Sequence, residues 1–278
     1  MQQIAIIASS KDPAGINIRN NLIELFEFDK LNEIFDKNDV FQYEKIPNKL
    51  IKLYLTNDDL IYSENIDKRI DADILIFASK HRSKENTPSF AVHAIGNWGK
   101  AEFGGEEGKL CFSSAILLKN LFIELNKDAK EINYELTLEA THHGPFVEKP
   151  AVFIEIGSTE KEWNDKNNGG IIAKTIMDAL QNEHQIYKIA VGVGGPHYCN
   201  NFNKIILKTD IAISHICPKY ALANLNEELI KQSIEKTLEK IDFFVLDWKG
   251  LGKEKQRIVE TLKNLSLDFK RTDGIFKD

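Results

Sequence analysis

Apolar runs of strand length recur along the chain: IAIIAS (4–9), LIKLYL (50–55), DILIFAS (73–79), FAVHAIG (90–96), AVFIEIG (151–157), KIAVGVG (188–194), IAISHI (211–216) and FFVLD (243–247). Most are near-continuous rather than alternating, the pattern of strands buried on both faces. Between several of them the apolar period lengthens to that of a helix. SSAILLKNLFIELNKDA carries Ile116, Leu117, Leu121, Phe122 and Leu125, and GGIIAKTIMDALQ carries Ile172, Ile176, Met177 and Leu180. NEELIKQSIEKTLEKI sets Leu229, Ile230, Ile234, Leu238 and Ile241 on one stripe behind Asn226 as N-cap. Glu227 and Glu228 fall in its first turn, where carboxylates meet the positive end of the helix dipole. Strands alternating with amphipathic helices predict an α/β fold whose sheet is covered on both faces. The stretch from about 36 to 66 is richer in Lys, Asp, Asn and Tyr and predicts a hairpin insertion at the sheet edge. No repeat, low-complexity linker or Pro/Gly-rich hinge interrupts the pattern, so one domain over residues 1–278 is expected.

Composition narrows the class. A chain of 278 residues, 42% hydrophobic and 28% charged, can bury a core, and no tract is depleted of apolar side chains as long disorder requires. No window reaches the roughly 18 apolar residues of a membrane-spanning helix. The opening MQQIAIIASSKD lacks the basic start and long apolar core of a signal peptide, which leads to the expectation of a cytoplasmic protein without membrane attachment. A net charge of -6 excludes a surface coated in basic groups, so any nucleic-acid contact must be local. Cys111, Cys199 and Cys217 form no CxxC spacing and read as buried thiols rather than a disulfide framework or zinc knuckle.

Candidate chemistry follows from position. In open α/β sheets, ligands bind outside the carboxyl ends of the strands. Six of the seven histidines (His81, His93, His142, His143, His197 and His215) fall inside or just after an expected strand, while His184 lies in a surface-like QNEHQ. This favours a shared site. A catalytic zinc takes three protein ligands, imidazole above all, and keeps a position for water. His81, His93, His142, His143 and His197 are the candidate ligands. In LEATHHGP, Glu139 can serve as ligand or general base, yet adjacent His142 and His143 would point to opposite faces of a continuous strand. They can share an ion only if the strand ends near Gly144-Pro145. EIGSTEKEW offers Ser158 and Thr159 hydroxyls with Glu160 and Glu162 carboxylates, read either as a capping box or as an oxyanion-binding helix start. In VGVGGPHY, Gly192, Gly194 and Gly195 allow close backbone approach to a ligand beside His197, or form a bare turn. Lys249, Lys253, Lys255 and Arg257 suit phosphate contacts or a solvated helix start.

Seven motifs in order, ASxxDPAGxNI (8–18), SKHRS (79–83), HAIGNWG (93–99), EATHHGP (139–145), EIGSTEKEW (155–163), GVGGPHY (192–198) and HICPKY (215–220), together resemble the archaeal and plant type of D-aminoacyl-tRNA deacylase. The resemblance implies hydrolysis of the ester of D-aminoacyl-tRNA, a chiral proofreading step in translation. It also implies a three-layer α/β/α fold with a mixed, largely parallel sheet, like the phosphorylase and peptidyl-tRNA hydrolase group, a Zn2+ cofactor, and the 3′ acceptor end of tRNA as partner; a monomer is expected. Catalytic roles are expected from His142, His143, Glu139, Ser158, Thr159 and Glu160, the last holding the α-amino group. Substrate contacts are expected from Ser10, Asp12, Asn17, His81, Asn97, Trp98, Gly194, Gly195, His197, Lys249 and Lys253. The alternatives are a related peptidyl-tRNA hydrolase or nucleoside phosphorylase-like enzyme, or a non-enzymatic binder of the tRNA 3′ end using the Lys249 to Arg257 patch.

Overall fold

The structure, a computed structural model, describes residues 1–83, 85–182 and 186–276. Its elements in chain order are β1 (Gln2–Ser9), α1 (Pro13–Phe26), β2 (Asp29–Phe35), β3 (Asn38–Tyr43), β4 (Lys49–Thr56), α2 (Ile66–Arg69), β5 (Ile74–His81), β6 (Ser89–Ala94), α3 (Ala115–Asp128), β7 (Glu135–Leu138), β8 (Ala151–Gly157), α4 (Glu160–Asn164), α5 (Lys166–Gln181), β9 (Lys188–Val193), α6 (Asn200–Lys208), β10 (Ile211–Cys217), α7 (Glu227–Glu235), β11 (Phe243–Leu246), α8 (Lys255–Asn264) and β12 (Phe269–Arg271). All eight apolar runs are strands, and the architecture is α/β. They divide between two sheets: a mixed, largely parallel one ordered β2-β3-β4-β1-β5-β8-β6-β7 and a parallel one ordered β10-β9-β11-β12. No helix among the described residues is long and apolar enough to cross a membrane.

Two elements depart from the sequence pattern. The edge hairpin is β2 and β3, antiparallel to each other and to β4, so it starts at Asp29 rather than near residue 36. Strand β2 has alternately exposed positions, which gives DKLNEIF no apolar run to signal it. Helix α7 has Asn226 as its cap, accepting from Leu229 N–H, but ends at Glu235 instead of running to Ile241. There the chain turns to pair with Ser113, whose N–H donates to Lys236 O and whose carbonyl accepts from Leu238 N–H, leaving the Leu238 side chain half-exposed.

Packing follows strand parity. On one face of the large sheet Ile4, Ile6, Ile76, Phe90, Val92, Ile154 and Ile156 bury against Ile18 and Leu22 of α1, Leu121 and Phe122 of α3 and Ile172 and Ile176 of α5. Each such side chain stabilises the fold by about 1.5–3 kcal/mol relative to exposure. The same cluster takes in Phe202, Ile205, Ile213 and Val245, so it spans both sheets. Lys119 of α3 is buried, and its ammonium donates to the carbonyls of Ile206, Thr209 and Ile211 at 2.7, 2.7 and 3.0 Å, tying α3 to the end of α6 and the start of β10. Burial draws its pKa down to about 8.

Candidate active site

Residues paired across strands share a face. Ser79 pairs with Glu155, Phe77 with Phe153, Ala91 with Glu155 and His93 with Phe153, while Ala91 also pairs with Thr137. One face therefore carries Phe77, Ser79 and His81 from β5, Phe153 and Glu155 from β8, His93 from β6 and Thr137 from β7. It lies opposite the face covered by α1 and α5. Phe77 and Phe153 stack with centroids 4.9 Å apart, and the His93 ring lies parallel to Phe153 at 5.3 Å. Polar side chains thus stand on an aromatic floor. At Gly157, beside this group, a Cβ would lie 2.6 Å from Ser89 Oγ and 3.0 Å from His81 Cδ2, so a glycine leaves His81 its room.

Strand β7 ends at Leu138, and the following chain stays against β6: Glu139 N–H donates to Val92 O, and His142 bridges to Ile95. His143 has φ 45°, a left-handed conformation that takes the chain out of extended geometry. The condition for convergence of the adjacent histidines is met, with ring centroids 4.3 Å apart and 4.2 and 4.8 Å from His93. His197 arrives from the turn after β9, where its carbonyl accepts from Ala140 N–H, and its ring lies 4.7 Å from His142.

The rings are oriented from outside. A carbonyl only accepts, so Nδ1–H of His93, His142 and His143 must donate to Ala94, Ala140 and Gly144 O at 3.1, 2.8 and 2.6 Å, which puts the lone pair of each neutral ring on Nε2. His197 Nδ1 meets the Tyr220 hydroxyl at 3.2 Å. Both carboxylate oxygens of Glu139 are buried without a hydrogen-bond partner. They lie 3.4 Å from His81 Nδ1, 3.6 Å from His142 Nε2 and 3.4 Å from His197 Nε2. Glu155 accepts from Ser79 Oγ at 2.6 Å and stands 3.4 Å from His81 Nδ1 and 3.8 Å from His93 Nε2. Three donor groups are compact enough to hold one cation: His93, His142 and His143; Glu139, His142 and His197; and His81, Glu139 and Glu155.

The electrostatics separate these imidazoles. Burial works against a charged His81, but Glu155 and Glu139 outweigh it and push the pKa up to about 9. Burial also opposes a charged His93, and its contact with Glu155 again outweighs it in the upward direction. Burial and then the neighbouring imidazoles hold His142 well below the ordinary histidine value and bring His143 down to about 4. Burial would raise Glu155, but His81 and His93 hold it well below the usual carboxylate range. The centre thus sets His81 and His93, drawn towards the charged form by their carboxylates, beside His142 and His143, held towards the neutral form.

The centre opens onto a cavity of about 520 Å³, lined by His81, His142, His143, His197 and Glu155 among others. Asp12 also lines it, while its Oδ1 caps α1 and its Oδ2 accepts from Lys80 N–H. The other expected residues serve the scaffold or stand away from the cavity lining. Ser10 donates to Asn57, Asn17 clamps the Trp163 and Asp165 carbonyls, Asn97 holds Gly104 and Glu106, and buried Trp98 donates to Ile216 O. Gly194 and Gly195 turn at positive φ directly against Asp247. Ser158 donates to Thr87 O, and Thr159 forms the capping box of α4 with Glu162. Glu160 is exposed at the start of α4 and does not line the cavity, whereas Asp12, Asp59 and Glu155 do. Lys253 lines a separate groove beside Trp248, and Lys249 lies in the turn next to that tryptophan. His215 is enclosed between Thr141 Oγ1 and Lys236 O, where burial lowers its pKa to about 4, and it belongs to none of the three donor groups. His184 lies outside the described residues. Sequence reasoning missed Glu155, although a carboxylate inside the apolar run AVFIEIG was its signal; nothing marked Tyr220.

A family model described as D-aminoacyl-tRNA deacylase matches residues 68–270. A protein of that name from Thermococcus onnurineus (strain NA1) is 38% identical over 275 residues, covering 96% of this chain and 98% of the relative. Its namesake from Archaeoglobus fulgidus is 33% identical over 280 residues, covering 98% of each. A crystal structure described as a conserved protein of unknown function superposes with a TM-score of 0.90 at 30% identity, covering all of this chain and 98% of that one.

Proposed function

The chain belongs to the D-aminoacyl-tRNA deacylase family and hydrolyses the ester of D-aminoacyl-tRNA, and from that premise we propose that the glutamate and histidine cluster is its hydrolytic centre and holds a zinc ion. The alternatives of a peptidyl-tRNA hydrolase, a phosphorylase-like enzyme or a non-enzymatic binder find no better support. The observation that carries the proposal is Glu139, a carboxylate shut away from solvent with neither oxygen hydrogen-bonded. A buried carboxylate with no hydrogen bond is costly, and a cation in contact with it would relieve that cost.

The donors fit zinc. Bonds of about 2.0–2.1 Å in a tetrahedral set separate neighbouring donors by roughly 3.3–3.4 Å. Nε2 of His197 and of His142 lie 3.4 and 3.6 Å from Glu139 Oε2. Two histidines and one glutamate form a known catalytic zinc set, and His142 and His197 face the cavity. His142, held towards its neutral form, suits a ligand, whereas His81 carries a proton at neutral pH and does not. A zinc ion held by Glu139, His142 and His197 would supply Lewis acidity towards the ester carbonyl and lower the pKa of a water towards neutrality. His81, held charged by Glu155 and Glu139 and with Nε2 unpartnered, stabilises the developing oxyanion and donates its proton to the departing ribose oxygen, recovering one from the water that is consumed.

The test is deacylation of matched D- and L-tyrosyl-tRNA before and after chelation, with metal content measured alongside. Chelation should cut D-tyrosyl-tRNA turnover at least a hundredfold, with zinc restoring it, and His197→Ala should abolish retention of zinc. Full turnover by metal-free protein would refute the zinc centre and leave the family activity standing.

A further inference from the structure

Among the described residues four large aromatic side chains are left exposed: Tyr62, Phe103, Tyr220 and Phe276. Tyr62 and Phe103 both line the histidine cavity, at 55% and 62% exposure, and Tyr220 meets His197 beside it. Apolar exposure of this kind, concentrated at one mouth, calls for an occupant.

We propose that Tyr62 and Phe103 form a stacking platform for the terminal adenine base of the tRNA acceptor end. The inference rests on reading the cavity as an aminoacyl-ester site. The two aromatics are held by backbone contacts. Gly104, at φ 74°, lies so close to the Tyr62 segment that a Cβ would sit 1.8 Å from Ile61 O and 3.2 Å from Tyr62 Cδ1. Asn97 Nδ2 donates to Gly104 O at 3.0 Å, and Gly105 N–H donates to Glu64 Oε1 at 2.8 Å. Glu64 Oε2 accepts from Phe146 N–H at 2.7 Å. Phe103 O itself accepts from Gly144 N–H at 3.0 Å, the residue after His143. The platform is therefore anchored to the turn that carries the adjacent histidines. That coupling matches the chemistry of the substrate, because the ester and the terminal base belong to one nucleotide and must be seated together. A cavity of about 520 Å³ falls in the range of small-ligand sites, roughly 300–1,000 Å³. Lys80 and Arg82 line the same cavity and supply cations for the preceding phosphate. Stacking also tolerates any tRNA, since all present the same terminal base.

The test compares kcat/KM on D-tyrosyl-tRNA, D-alanyl-tRNA and D-tyrosine methyl ester, which has no base, for wild type, Phe103→Leu, Phe103→Trp and Tyr62→Leu. Loss of one stacking face is worth roughly a 10- to 100-fold change. The preference for either tRNA over methyl ester should fall by that factor in Phe103→Leu and Tyr62→Leu, through KM, and persist in Phe103→Trp. An active wild type whose leucine variants keep this preference overturns the inference alone. A loss confined to tyrosyl substrates, methyl ester included, also overturns it, because the aromatics then hold the amino acid. A wild type inactive on all three substrates overturns the underlying reading, and this one with it.

Discussion

Replacing Glu155 by Gln should change the charge state of the centre more than its shape. The amide keeps the side-chain volume and can still meet Ser79 Oγ, but the charge 3.4 Å from His81 Nδ1 is gone. An opposite charge at this range shifts a pKa by about 1–3 units, and burial of His81 then acts with only Glu139 to oppose it. The His81 pKa should fall by about two units from about 9, near 3 kcal/mol of differential stabilisation. A raised pKa means the charged ring is present below it and lost as pH rises through it. At pH 8 the protonated fraction should drop from about nine-tenths to about one-tenth. Ring-proton NMR titration of metal-free wild type and variant measures this directly, and the alkaline limb of the deacylation profile should move down by the same interval. A His81 ring that titrates near 6.5 in wild type, or still near 9 in the variant, would refute the reasoning.

Lys119→Met should destabilise the protein by about 3–5 kcal/mol in urea unfolding, because three carbonyls lose a charged donor while the stem volume is kept; a loss under about 1 kcal/mol would show the ammonium to be dispensable. His215, with its pKa lowered to about 4, binds its proton in the unfolded chain first, so stability is full above about pH 6.5 and is lost as pH falls towards 4. His215→Gln should remove about 3 kcal/mol of that pH dependence, read as the difference in unfolding free energy between pH 7 and 4, and an unchanged acid limb would contradict it. Gly157→Ala should displace His81 through the 3.0 Å contact and lower kcat at least tenfold, with the fold retained by circular dichroism; wild-type kcat would show that His81 tolerates the shift.

The eight long strands were legible because a sheet covered on both faces leaves little polar text in them. Helix α1 was not: PAGINIRNNLIELF is laced with asparagines, and Asn17 and Asn21 are spent on the Trp163 and Asp165 carbonyls and on the helix's own turn rather than on solvent. The division into two sheets was equally hidden, since β9, β10 and β11 read like the strands of the larger sheet. Among site candidates the histidines stood out by scarcity. Hydroxyls and glycines did not discriminate, because Ser158, Thr159, Gly194 and Gly195 have the same composition whether they hold a ligand or hold a turn. Glu155 was readable but lay inside a strand, while attention to strand ends led away from a centre spread over a sheet face.

Three of the clustered imidazoles are steered by peptide carbonyls, those of Ala94, Ala140 and Gly144, rather than by side chains. A side-chain acceptor can be deleted by one codon change; a main-chain carbonyl survives any replacement that preserves the backbone path. Orientation of these rings is therefore insulated from substitution at the very positions that provide it. Sequence drift around the centre can proceed widely before the imidazoles lose their aim, and random mutagenesis should find its inactivating changes at the rings and carboxylates themselves far more often than among their supports.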